Sequence, residues 1–231
     1  MSGINFSIRD WAVWMPAEAA DEQPHRLDTL ALGLIPAMMR RRLGEQGKLV
    51  VSVCSALVEH QPVMPMVFCS RHGEIRRSIE LLSALIAGEP ASPMAFSLSV
   101  HNAVSGMLSI ATGNTSNISA IAAGPDSFVN ALTEAAMMLA DSGTDTVLCV
   151  VHDLPLPELY QGSCMDPPAP YAIAMLLEQP GAHSYRIDFT AGSGQTRPIL
   201  AQLADVCALL SGKISCLPLA SAAIECQQAQ P

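Results

Sequence analysis

The chain has 231 residues, of which 50% are hydrophobic and 14% charged, and its formal net charge is −9. This balance argues against nucleic-acid binding, because affinity for phosphates depends on clustered Lys and Arg. No stretch approaches the ~20 apolar residues of a membrane span and no signal peptide is recognisable, so we expect a cytoplasmic protein without a membrane span.

Helical periodicity dominates the first third of the chain. Apolar residues between positions 27 and 38 recur at helical spacing, and the basic run 40–42 would complement the carboxyl end of that helix. A second helix is predicted over 48–60, so that two helices precede the first clear strand, 64–69. After the loop 70–73, a helix carries apolar residues on one face and stops at Gly88.

Strands alternate with helices in the rest of the chain. A loop with Pro93 leads into a helix that ends at Gly113, a buried strand covers 116–122, and Gly124 turns the chain into a long helix. Further segments are strands at 146–151, 171–177 and 185–189, a helix at 199–210, and a tail that is either strand or loosely ordered. This order predicts one α/β domain over 1–231, with a largely parallel, helix-covered sheet and a core over about 26–190.

Four segments carry a family resemblance: GEPASPMAFSLSVHNAVSGMLSIATG (88–113), NISAIAAGPDSF (117–128), TVLCVV (146–151) and YAIAMLLE (171–178). Their order resembles the N-terminal half of thiolase-fold condensing enzymes, the β-ketoacyl synthase-like N-terminal family. SRHGE (70–74) and SVHNA (99–103) are similar to short ketosynthase-like proteins of aryl polyene pathways, where such a protein serves as chain-length factor. The resemblance implies a thiolase-like α/β fold, N-terminal half only, with a mostly parallel mixed sheet.

The resemblance also implies loss of catalysis. Active ketosynthases hold a cysteine between the strand and the next helix, where the helix dipole favours thiolate. Laying SAIAAG (119–124) on the family pattern Ala-Cys-x-x-Gly places Ile121 at that position, and a slip of register offers only alanines. The family draws its His and Asn residues from a C-terminal half that we expect this chain to lack. We therefore expect a non-catalytic subunit without cofactor or metal.

The expected partner is a full-length ketosynthase, in a heterodimer that meets the acyl carrier protein only indirectly. In thiolase-fold dimers the strand with the nucleophile position pairs with its counterpart. The predicted partner interface is therefore Asn117, Ile118, Ser119, Ala120 and Ile121. Residues predicted to line a site shared with the partner are His72, His101, Asn102 and Phe128.

Two other functions remain open from the residues alone. An independent condensing enzyme or acyltransferase would use the pair His101–Asn102, or Cys164 with His152 and Asp153 nearby. An acyl-carrier-protein-binding module would use the basic residues Arg71, Arg76 and Arg77. The seven cysteines form no C-x-x-C pair, which indicates reduced thiols rather than a zinc site or a disulfide framework.

Overall fold

The computed structural model describes residues 3–16, 25–58, 63–141, 143–160 and 167–228. The strands are β1 (Ile4–Trp14), β2 (Met66–Cys69), β3 (Ile118–Ile121), β4 (Thr146–Asp153), β5 (Tyr171–Glu178), β6 (His183–Asp188), β7 (Cys216–Pro218) and β8 (Ala223–Gln228). The helices are α1 (Ala37–Arg40), α2 (Glu45–Val58), α3 (Ile75–Ile86), α4 (Pro93–Ser97), α5 (Ala103–Thr112), α6 (Ser127–Asp141) and α7 (Ile199–Leu210). Within these ranges no helix is long and apolar enough to cross a membrane.

The eight strands form one mixed sheet in the order β3-β2-β4-β5-β1-β6-β8-β7. β2 pairs in parallel with β3 and with β4. The other five pairings are antiparallel, because β5 lies between β4 and β1 in the opposite direction and the last three strands continue as an antiparallel extension. The α/β class and the mixed sheet are confirmed, whereas the expectation of a mostly parallel sheet overstated the parallel pairings.

Two hydrophobic clusters cover the two faces of the sheet. The first packs α6 against residues such as Val147 and Val151 of β4, and it also includes α7, which lies beside β7. The second packs α2 and α5 against the alternate residues of β4, including Leu148 and Val150. β4 and β5 are therefore buried on both faces, which explains their continuous apolar sequences.

The first 40 residues depart most from the predicted elements. β1 was not predicted, because Arg9 and Asp10 interrupt its apolar pattern at a point where a bulge shifts the register with β5. The predicted helix over 27–38 is wrong, since only α1 is helical and Pro36 lies directly before it. The backbone N–H of Leu27 instead donates to the carbonyl of Val13, so this segment starts beside β1.

Most later elements follow the prediction, with two differences in burial. The predicted buried strand at 116–122 is β3, which is the terminal strand of the sheet and only partly buried. α3 has the predicted bounds, but none of its residues is buried, so its apolar face does not pack into the core. The tail forms β7 and β8, which supports the strand alternative for that segment.

Candidate functional site

The predicted interface residues lie together along β3 and directly before it. β3 pairs with β2 on one side and is the terminal strand, so no strand of the described residues pairs with its other edge, which we call the open edge. The carbonyls of Asn117 and Ile121 accept hydrogen bonds from the β2 side, at Met66 and Ser70. Because backbone groups alternate along a strand, those of Ile118 and Ala120 point to the open edge. This edge offers a row of N–H and C=O groups to another strand.

A cavity flanks β3 on each face. One, of about 340 Å³, lies between β3 and the start of α5, and its lining residues are His101, Asn102, Ser105, Gly106, Ile118 and Ala120. The other, of about 480 Å³, lies beside α6, and its lining residues are Asn117, Glu134, Met137, Met138, Ala140 and Asp141. A second chain that paired with β3 would have room for side chains on both faces of the strand.

The turn from β3 into α6 is built from residues 122–126. Ile121 lies before this turn, as the last residue of β3, opposite Cys69 and packed against the core. The turn itself contains Gly124 at a φ of 53°, and a single 3₁₀ turn, Gly124–Asp126, leads into α6. The segment Ala-Ala-Gly-Pro-Asp contains no thiol, hydroxyl or imidazole. The structure thus places Ile121 within the strand rather than in the turn, and the turn residues offer no thiol in its place.

Cys69, at the end of β2, is the thiol that approaches this turn. Burial raises the pKa of Cys69 to about 11, although contacts with the Ser127 side chain and the Ala123 backbone act in the opposite direction. The side chain is fully buried beneath α6. A thiol with this pKa stays protonated near pH 7, and burial denies a substrate access to it.

The buried carboxylate of Asp153 connects the carboxyl ends of β2 and β4. Asp153 is 1% exposed and accepts hydrogen bonds from Ser70 Oγ at 2.7 Å, from the backbone N–H groups of Arg71 and His72, and from the Tyr171 hydroxyl. Burial raises the pKa of Asp153 despite these bonds. The carboxylate therefore fixes the start of the SRHGE loop in place.

His152 belongs to the same buried region but lies on the α2 face of the sheet. Its Nδ1 is 2.8 Å from Nε2 of Gln46, and its ring meets Phe68 edge to face. Burial, and secondarily His101, lower the pKa of His152 to about 3. The imidazole is neutral and enclosed, and it lies on the opposite face of the sheet from Cys69. Cys164, the other half of the predicted Cys–His pair, lies outside the described residues.

The predicted site-lining residues fall in three places. His101 and Asn102 line the cavity beside β3, and His101 Nε2 lies 2.9 Å from the carbonyl of Ser70. His72 lines a separate cavity of about 330 Å³ at the starts of α2 and α3. Phe128 is fully buried in the core under α6, where it lines none of the three cavities just described. Only two of the four residues therefore lie beside the predicted interface.

An apolar surface on α3 and α4 was not predicted as part of any site. Ile86 is 88% exposed and Phe96 65% exposed, and Leu82, Leu85 and Met94 are also exposed. We call these five residues the α3–α4 apolar surface. The sequence signal was the apolar face of α3, but periodicity does not reveal whether such a face is covered by the chain itself.

The sheet order, the β3–α6 turn and the open β3 edge define a ketosynthase-like α/β domain. The sequence matches the family described as beta-ketoacyl synthase, N-terminal domain, over residues 11–209. The chain therefore belongs to the β-ketoacyl synthase N-terminal domain family, as the resemblance predicted.

The structural comparisons agree with this assignment. The structure of the ketosynthase ApeO in complex with its chain length factor ApeC, from Xenorhabdus doucetiae, contains a chain with 27% identity and a TM-score of 0.79; the match covers 97% of this chain and 100% of that one.

Two further structures are more distant. The ishigamide ketosynthase/chain length factor has 13% identity and a TM-score of 0.53, and the match covers 75% of this chain and 56% of that one. A β-ketoacyl synthase from Burkholderia phymatum STM815 has 12% identity and a TM-score of 0.53, with 83% and 59% covered. At this identity they show the fold alone, and this chain spans little more than half of those longer chains. No curated protein sequence matches the chain significantly.

Proposed function

We propose that this chain is a non-catalytic subunit of the chain-length-factor type, which forms a heterodimer with an active ketosynthase. The observation that carries the proposal is the open edge of β3, which ends in a turn that contains no cysteine. In this role β3 pairs with a strand of the ketosynthase, and the flanking cavities receive side chains of that partner.

The α3–α4 apolar surface also supports a protein partner. A helix with an apolar face and no buried residue gains little stability from its own chain, because helices in proteins are stabilised mainly by packing that face. The cavity at His101 and Ala120 is a second open feature, and it lies directly beside β3. Large exposed apolar patches mark sites of protein association, so a partner that covers both features accounts for them together.

The buried polar groups support the absence of catalysis. Catalysis by acyl transfer requires an exposed nucleophile with a lowered pKa or a neighbouring base. Cys69 is buried and its pKa is raised, and His152 is enclosed beside Gln46. His101 also lies with its Nε2 against the Ser70 carbonyl. Among the described candidates, none combines exposure, activation and a base.

The likeness to the ApeO–ApeC structure supports an aryl polyene type of assembly as the setting. In that setting the ketosynthase partner carries out the condensation and this subunit stabilises it, walls off its acyl tunnel and limits chain length. The acyl carrier protein then delivers substrate chiefly to the ketosynthase, and the complex is expected in the cytoplasm.

A proline at position 120 tests the pairing of β3. The N–H of Ala120 points to the open edge, so Ala120→Pro removes a hydrogen-bond donor to the partner while leaving the bonds to β2 in place. We expect binding to the ketosynthase to weaken at least about tenfold, the equivalent of roughly 1.4 kcal/mol. The measurement is the dissociation constant of the co-expressed complex, together with the length of its polyketide product.

Ala120→Val is the matched control, because it enlarges the same side chain but keeps the N–H group. The control is expected to bind within about threefold of the wild type, a difference under ~1 kcal/mol. Equal affinity of the proline variant and the wild type would show that β3 is not the pairing strand. Failure of the wild-type chain to bind the ketosynthase would contradict the proposed function itself.

A further inference from the structure

The middle of the chain contains acidic residues but no lysine or arginine. Residues 78–185 include ten Asp or Glu and no Lys or Arg. This segment contains β3 and the two helices beside it, α5 and α6. The strand with the open edge and its neighbouring helices therefore carry negative charge that no Lys or Arg among them balances.

Glu134, on α6, is the carboxylate in direct contact with β3. Its Oε1 accepts a hydrogen bond of 2.7 Å from the Ser119 hydroxyl. Glu134 makes no ion pair with any other described residue. It also lines the cavity of about 480 Å³ beside α6, whose described lining includes a second carboxylate, Asp141, and no Lys or Arg. The charge of Glu134 is thus held beside the open edge without a cation from the described part of the chain.

Pairing of two copies of this chain through β3 would bring two Glu134 carboxylates together. An antiparallel pairing that overlaps residues 117–121 fully places Ser119 of one copy opposite Ser119 of the other. The carbonyls of Asn117 and Ile121 point to β2, so by alternation those of Ser119 do too. The two serines then form a pair without backbone hydrogen bonds, with Cβ atoms about 4.5–5.5 Å apart. Each serine holds its carboxylate on the same face of the joined sheet, where like charges oppose association.

We propose that Glu134 selects the partner of β3: it opposes pairing between two copies of this chain and accepts a Lys or Arg of the ketosynthase. The inference rests on the proposed function, because it concerns the choice of partner at the same edge. A carboxylate that loses water as an interface forms is costly unless a cation pairs with it. The favoured partner is therefore one that brings a cation to the cavity at Glu134, and residues 78–185 of a second copy contain no Lys or Arg for this purpose.

Self-association of the full chain without a ketosynthase tests the first half of the proposal. Glu134→Gln removes the charge but keeps an oxygen that can accept the hydrogen bond from Ser119. At about 50 mM salt, we expect its self-association constant, measured by analytical ultracentrifugation, to exceed that of the wild type at least about tenfold. Salt screens repulsion, so an increase to about 200 mM salt is expected to strengthen self-association of the wild type more than that of the variant.

Glu225→Gln is the matched control, because it removes the same charge at the other end of the sheet. Glu225 is partly buried, as Glu134 is, but it lies on β8, far from β3 in the strand order. We expect this variant to keep the wild-type self-association constant and the wild-type affinity for the ketosynthase.

Binding of the ketosynthase to the same variants tests the second half of the proposal. Glu134→Lys places a cation against the cation of the partner, so we expect it to bind at least about tenfold more weakly than the wild type at about 50 mM salt. Glu134→Gln is expected to weaken binding less and to reduce the salt dependence of the heterodimer, a change that misfolding of the lysine variant does not explain.

The two proposals fail separately in these measurements. Unchanged self-association of the Glu134→Gln variant overturns the inference, and so does unchanged ketosynthase affinity of the Glu134→Lys variant. Equal gains in self-association from Glu134→Gln and Glu225→Gln also overturn it, because the effect would then follow from net charge alone. Failure of the wild-type chain to bind the ketosynthase contradicts the proposed function instead.

Discussion

The interior strands and the β3 end of the sheet contain similar residues but bury them very differently. β4 and β5 are apolar along nearly their whole length and are covered on both faces by helices of the same chain. β3 and the α3–α4 apolar surface are also apolar, yet β3 is partly buried and the surface is exposed. Apolar sequence therefore has two meanings in this chain, one for its own core and one for a surface available to a partner.

A matched pair of leucine truncations tests this difference. Leu148 in β4 is fully buried and Leu85 in α3 is exposed. Leu148→Ala is expected to lower the free energy of unfolding by about 3 kcal/mol, because it leaves a cavity in the core. Leu85→Ala is expected to change it by no more than about 0.5 kcal/mol. Urea denaturation of the chain without its partner measures both changes in the free energy of unfolding. Similar changes at the two positions would show that the two leucines do not differ in their contribution to the core.

The pH dependence of the free energy of unfolding tests the buried side of this comparison, at His152. The pKa of His152 falls from its ordinary 6.5 to about 3 on folding, chiefly through burial. The folded state therefore binds this proton less readily, so its contribution to stability is complete above pH 6.5 and is lost as the pH falls toward 3. The loss is at most about 1.4 kcal/mol per pH unit for one proton.

His152→Gln is expected to flatten the dependence between pH 6.5 and 5, as measured by urea denaturation at each pH. The raised pKa values of Asp153 and Glu74 act in the opposite sense and are present in both proteins, so the difference between variant and wild type isolates His152. Replacement of the exposed His183 by Gln is the control. Parallel curves for wild type and the His152 variant would show that this imidazole does not resist protonation in the fold.

The elements that the sequence predicted well are those in which local pattern and tertiary packing agree. α3, α7 and β4 are examples, because helical periodicity or a continuous apolar run identifies each one. β1 was not predicted because its bulge and its charged residues Arg9 and Asp10 interrupt the strand pattern. The helix expected over 27–38 failed because apolar spacing also arises in an irregular segment that packs against the core.

The candidate site was predictable only where the family resemblance fixed a segment. The interface strand at 117–121 lies as a unit at the edge of the sheet, but its pairing with another chain remains a prediction. The bounds of the strand decide that Ile121 precedes the turn, and a sequence pattern alone does not give those bounds. The hydrogen bond from Arg77 to the Arg42 carbonyl was not predictable, because only the folded chain brings these two residues together.

Denaturing intact-mass spectrometry of the complex with its ketosynthase, after incubation with an acyl donor, tests the central claim most directly. We predict that both chains are recovered in equal amounts and that the acyl mass appears on the ketosynthase alone. An acyl adduct on any residue of this chain would contradict the assignment of a non-catalytic partner.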